Sequence, residues 1–267
     1  MIKSILPIVN ERSYSLVRQN AAMALPKVFA SLLEGLKAGS CTSAQVDSIV
    51  GPITRELLSA LKTETQAETA ISFADGIKGV IMACYESGGS LVNGVQPPPA
   101  YIFPLQMVDV TLQTLSAAAM KSVQRRVQAQ ANVSKLGDDV YDSEEAFAIN
   151  QSLDVEEDLM TNITDAVGFT IKQHKEGALA SVEKHVLPTY GKLLNASQFP
   201  PSLQHNAICV FDDMIEHCSP SCHRHLASCA GPIIMNMNHE ECYMRCAVRR
   251  FCTTQRPHAL LVGNFFV

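Results

Sequence analysis

The side chains best placed to do chemistry in this chain are acidic. Between Asp138 and Asp158 stand Asp138, Asp139, Asp142, Glu144, Glu145, Asp154, Glu156, Glu157 and Asp158, with no Lys or Arg among them. This block sets the sign of the net charge of −5, because the rest of the chain is net basic. Such a block draws in basic partners and speeds their association in a salt-dependent way. The same composition also suits a solvated loop. Nucleic acid is excluded as a partner for it, since the acids repel phosphate.

A second acidic set, Asp212, Asp213 and Glu216, lies in the run Ile208-Cys209-Val210-Phe211-Asp212-Asp213-Met214-Ile215-Glu216-His217-Cys218-Ser219-Pro220. At about 100° per residue, Ala207, Ile208, Met214, Ile215 and Cys218 share the side of Phe211, while His205, Asp212, Asp213 and Glu216 fall opposite. Proline cannot continue a helix, so the helix is expected to stop at Ser219-Pro220. Adjacent carboxylates on a helix point about 100° apart and do not converge on one substrate. Glu216 stacks over Asp212 at i+4, and that like-charge pair is slightly destabilising, which points to a basic ligand or a neighbouring Arg. No nucleophile elbow, phosphate-binding loop or dinucleotide fingerprint occurs. No catalytic residue is therefore assigned, and no cofactor is expected.

Cys218, Cys222, His223, His225 and Cys229 invite a zinc reading. Structural zinc sites show close ligand pairs on short loops. Here Cys218 to Cys222 spans a turn between helices, and Cys242 and Cys246 share a helical register. Free cysteines in helices are the expectation, with no metal ligand. The opening residues lack a cleavage site for export, and no apolar run reaches membrane-span length. A soluble intracellular chain with reduced thiols and no membrane partner is expected.

The elements that must carry these residues recur. Pro7, Pro52, Pro104, Pro188 and Pro232 each sit in an apolar helical pattern, spaced by 45, 52, 84 and 44 residues. Two-helix HEAT units run to roughly 40–47 residues. The longer spacings hold a Gly88-Gly89 to Pro97-Pro98-Pro99 loop and the acidic insert at 134–158. After four of the prolines comes a helix with small residues on its packing face: Val17–Leu25, Thr69–Ala74, Asn206–Cys209 and Tyr243–Ala247. Small residues let helices approach closely, and a proline inside each first helix is expected to kink it. The fold expected is all-α, an α-solenoid of HEAT-like antiparallel helix pairs with about five repeats over residues 1–247. Residues 248–267 form a divergent tail outside the array.

With helix pairs, an acidic insert and the Cys209–Pro220 segment in place, the chain resembles the importin-beta (karyopherin-beta) nuclear transport receptors, nearest their beta-3 branch. The Cys209–Pro220 segment carries most of the resemblance, though without the tryptophan that the family has before it. Weaker support comes from the order Arg125-Arg126, Asp139-Val140-Tyr141-Asp142, Lys175-Glu176 and Val186-Leu187-Pro188. The resemblance implies the C-terminal fragment of such a receptor, working between cytoplasm and nucleus. It also implies basic cargo such as ribosomal proteins and histones, phenylalanine-glycine nucleoporins as further partners, and RanGTP as a partner of the full-length receptor. Cargo would meet the Asp138–Asp158 acids first, with Asp212, Asp213 and Glu216 second. A non-transport HEAT scaffold, such as a phosphatase or cytoskeletal assembly subunit, is the alternative.

Overall fold

The computed structural model describes residues 2–11, 14–87, 101–133, 143–195, 199–236 and 239–254. In chain order the elements are α1 (Ile2–Ile5), a 3₁₀ turn (Leu6–Asn10), α2 (Ser15–Lys37), α3 (Ser43–Thr63), α4 (Ala67–Glu86), α5 (Leu105–Val133) and α6 (Ser143–His174). Then follow α7 (Glu176–Ser181), a π turn (Val182–Val186), α8 (Leu187–Asn195), α9 (Pro201–His217), a 3₁₀ turn (Ser221–His225), α10 (Leu226–Met235) and α11 (Cys242–Thr254). The described residues contain no strand.

Local chemistry sets the ends of these helices. Gly39, at φ +71°, closes α2, with its N–H and that of Ser40 donating to the carbonyls of Leu36 and Gly35. Only glycine adopts that backbone without strain. Thr42 then opens α3: Gln45 N–H donates to its hydroxyl at 3.4 Å, and Thr42 N–H donates to the Gln45 side chain at 2.8 Å. Two otherwise unpaired donors are satisfied by this reciprocal cap.

The chain divides into two units, Met1–Phe169 and Thr170–Val267. In the first, the 3₁₀ turn packs on α2 and α3, α3 packs on α4 and α5, and α2 lies along α4. Phe29, Phe73, Ile53, Leu57, Ile77 and Ile81 are fully buried between them. The small-residue expectation holds where α2 meets α4. A Cβ on Gly76 would come within 2.9 Å of the Ala22 carbonyl, and one on Gly79 within 2.8 Å of the Pro26 Cβ. Only glycine permits that approach. In the second unit α8 packs on α9 and α10, and α9 packs on α11. Tyr190, Ile208, Met214 and Ile233 fill its interior.

A proline inside each first helix was expected, and the structure bears this out for only some of the five. Pro52 and Pro232 lie inside α3 and α10, and so does Pro26 in α2, which the register did not include. Pro7 sits in a 3₁₀ turn, Pro104 immediately before α5, and Pro188 second in α8. At Pro7 the missing N–H is one that the first turn leaves without a helical partner, so proline is tolerated there. Before Pro188 the helix widens: Leu187 N–H reaches back to the Val182 carbonyl. The ring of Pro188 crowds the carbonyl four residues before it, and the wider π turn relieves that crowding.

Two boundaries are corrected. The acidic block from Asp138 to Asp158, which also suited a solvated loop, is from Ser143 onward the first half of α6. Its apolar residues keep helical spacing into Leu159, Met160 and Ile163, all buried. The array was expected to end at Ala247, yet α11 runs to Thr254. Met244, Val248 and Phe251, at i, i+4 and i+7, form its buried stripe. The Gly88–Pro99 loop, residues 134–142 and the tail from Gln255 lie outside the described residues.

Candidate functional site

The acids of α6 separate by face. Glu156 points inward, with its side chain 3% exposed, and takes the Arg125 guanidinium in a two-pronged pair, Nη2 donating at 2.9 Å. A buried carboxylate is tolerable only when paired in this manner. Arg126, also buried, donates from Nη1 to the Leu153 carbonyl at 3.3 Å and lies 3.6 Å from Glu157. The basic residues of α5 thus neutralise part of the acidic block. Asp154 and Asp158 remain exposed, and Glu157 partly so. Asp138, Asp139 and Asp142 lie outside the described residues, and Glu144 and Glu145 are placed only as belonging to α6.

In the second unit the acids of α9 meet a different fate. Asp212 and Asp213 are buried, at 2% and 7% exposure, where the sequence placed them on the outer face. Arg250 of α11 gathers the cluster. Its Nε lies 2.7 Å from Asp212, and its Nη2 lies 3.4 Å from both Asp213 and Glu216. Lys172, in the last turn of α6, sits 3.2 Å from the other Asp213 oxygen. The adjacent carboxylates were expected not to converge, yet they share one guanidinium, because Arg250 is long enough to bridge them. Burial alone would lower the Arg250 pKa, but Asp212, Asp213 and Glu216 more than offset this and raise it. His217 is held below the ordinary histidine value by burial, against the pull of Glu216 and Asp213. Asp213, Glu216 and His217 bring ligand atoms within 4.8 Å of one another. The same carboxylates already hold Arg250 and Lys172, so the local charge is largely balanced.

The signal for this cluster was present in the like-charge pair of Asp212 and Glu216. Its partner Arg250 was missed because it falls beyond the expected end of the array.

The cysteines are all free thiols. Burial pushes Cys218, Cys222 and Cys229 up to about 12, 11 and 12. They are protonated near neutrality and pack as small apolar groups. No described helix is long and apolar enough to cross a membrane.

No family model matches the chain. Solved structures of the karyopherin Kap121p do match it. Kap121p bound to the SUMO protease Ulp1p aligns with a TM-score of 0.73 at 14% identity, over 98% of this chain and 22% of that one. Kap121p alone gives 0.71 at 14% identity over 99% and 22%, and Kap121p bound to Nup53p gives 0.68 at 14% over 95% and 21%. The chain spans about a fifth of the length of the solved chains it matches. At this identity the likeness is one of fold, that of a helical karyopherin solenoid, as the sequence led us to expect.

Proposed function

We propose that this chain is part of a nuclear transport receptor and that the exposed acids of α6 contact basic cargo. The observation that carries the reading is the fold match to Kap121p across nearly the whole chain. That protein has been solved bound to Ulp1p, Ste12p and Nup53p. The electrostatics are consistent with it: Asp154 and Asp158 keep water-facing charge and Glu157, 3.6 Å from Arg126, keeps it in part, whereas Glu156, Asp212 and Asp213 are occupied by arginine or lysine. We therefore place cargo on the α6 block and give the α9 acids a structural role.

The test is a charge-neutralised variant. Asp138, Asp139, Asp142, Glu144, Glu145, Asp154, Glu157 and Asp158 are changed to Asn or Gln, with Glu156 retained for Arg125. Affinity for a histone tail or a basic ribosomal protein is then measured across salt. Weaker binding and a flatter salt dependence are expected. Unchanged affinity and slope would remove the block from the cargo site. Retention on immobilised phenylalanine-glycine repeats separates the receptor from a non-transport scaffold, which should wash through.

A further inference from the structure

Beside α4, α6 presents a single stripe of distinctive composition. Asp154, Asp158, Asn162, Asp165 and Phe169 fall within a sector of about 80° on the helix. The three aspartates are exposed, and Asn162 and Phe169 are half-buried. From α4, Lys78 Nζ donates to Asn162 Oδ1 at 2.5 Å and sits 2.8 Å from Asp75. About two helical turns further along α4, the ring of Tyr85 meets that of Phe169 at 5.7 Å, tilted by 53°. Tyr85 is nevertheless 44% exposed. An aromatic ring braced by a second ring thus stands at the end of an acidic row.

The two features select the same ligand. An aromatic face attracts a Lys or Arg head group, and arginine also stacks on it. The aspartates attract the same cations and repel phosphate. From Asp154 to Phe169 the stripe runs about 22 Å at the helical rise. An extended peptide covers that length with about seven residues.

We propose that this stripe seats an extended basic segment, with one guanidinium or ammonium group against Tyr85 and others facing Asp154 and Asp158. The inference rests on the cargo-binding reading above and adds an aromatic contact that acid neutralisation alone does not probe.

The purified chain is titrated into a fluorescein-labelled oligo-arginine peptide and followed by anisotropy, with thermal melts to check folding. Tyr85→Phe should bind like the unmodified chain. Tyr85→Leu, which keeps apolar bulk but loses the ring, should bind roughly two- to fivefold more weakly. Asp154→Asn with Asp158→Asn should weaken binding and flatten its salt dependence. Should the leucine variant fail to fold, Tyr85→Gln supplies the same comparison. If the aspartate pair matters and Tyr85→Leu does not, the aromatic contact is overturned and the receptor reading stands. If Tyr85→Phe weakens binding as much as Tyr85→Leu, a hydroxyl contact replaces the ring contact and the inference fails. If neither the ring nor the aspartates matter, both readings fall together.

Discussion

The acidic residues of α6 and those of α9 look alike as letters and differ as chemistry. On α9, Asp212 and Asp213 are buried and share Arg250, with Lys172 on the far side of Asp213. On α6 the inward Glu156 is neutralised by Arg125, while Asp154 and Asp158, one turn apart on the opposite face, point to water. Local charge density in a sequence therefore says little about charge offered to a partner. What decides is which face of the helix carries the acid and whether a cation from another helix reaches it.

Substitutions can break that contrast, and the largest effect belongs to α9. Arg250→Met would leave Asp212 buried beside Asp213 without its guanidinium. Breaking a buried pair costs about 3–5 kcal/mol. Arg250 is itself 56% exposed, so a loss of about 2–3 kcal/mol is expected in urea unfolding. On α6, Glu156→Gln should cost about 1 kcal/mol, because the Arg125 it releases is already one-third exposed and can turn to water.

Acid should weaken the α9 region further through His217. Its folded pKa lies below the unfolded value of 6.5, so the unfolded chain takes the proton first. Stability should fall as pH drops below about 6.5, by less than about 1.4 kcal/mol per pH unit. The His217→Gln variant should lose that component of the pH profile, read by thermal melts from neutral pH downward. The smallest effect is expected on the exposed face of α6. Asp154→Asn and Asp158→Asn should each change stability by no more than about 0.5 kcal/mol.

Helical spacing made much of the fold legible. The small residues around Ala22 and Ala74 marked the close packing of α2 and α4, and the proline register located α3, α8 and α10. The register missed Pro26, because that proline lies in a second helix. The boundary at Ala247 was misplaced because small residues were taken as the signal, whereas Val248 and Phe251 continue the buried stripe with large ones. Losing that stretch from the array also lost Arg250. The site was legible only as composition. No sequence spacing reveals that Glu156 turns toward Arg125 while Asp158 turns away, since the partner sits on another helix 31 residues earlier. The pairing of Tyr85 with Phe169 was invisible for the same reason.

The most direct test of this account compares the two acidic regions in one assay. The affinity of a histone-tail peptide is measured against salt for the unmodified chain, for Asp154→Asn with Asp158→Asn, and for Glu216→Gln, the exposed acid of the α9 cluster. The account predicts weaker binding and a flatter slope for the α6 pair and an unchanged slope for Glu216→Gln. A flattened slope for Glu216→Gln, with the α6 pair binding as before, would contradict it.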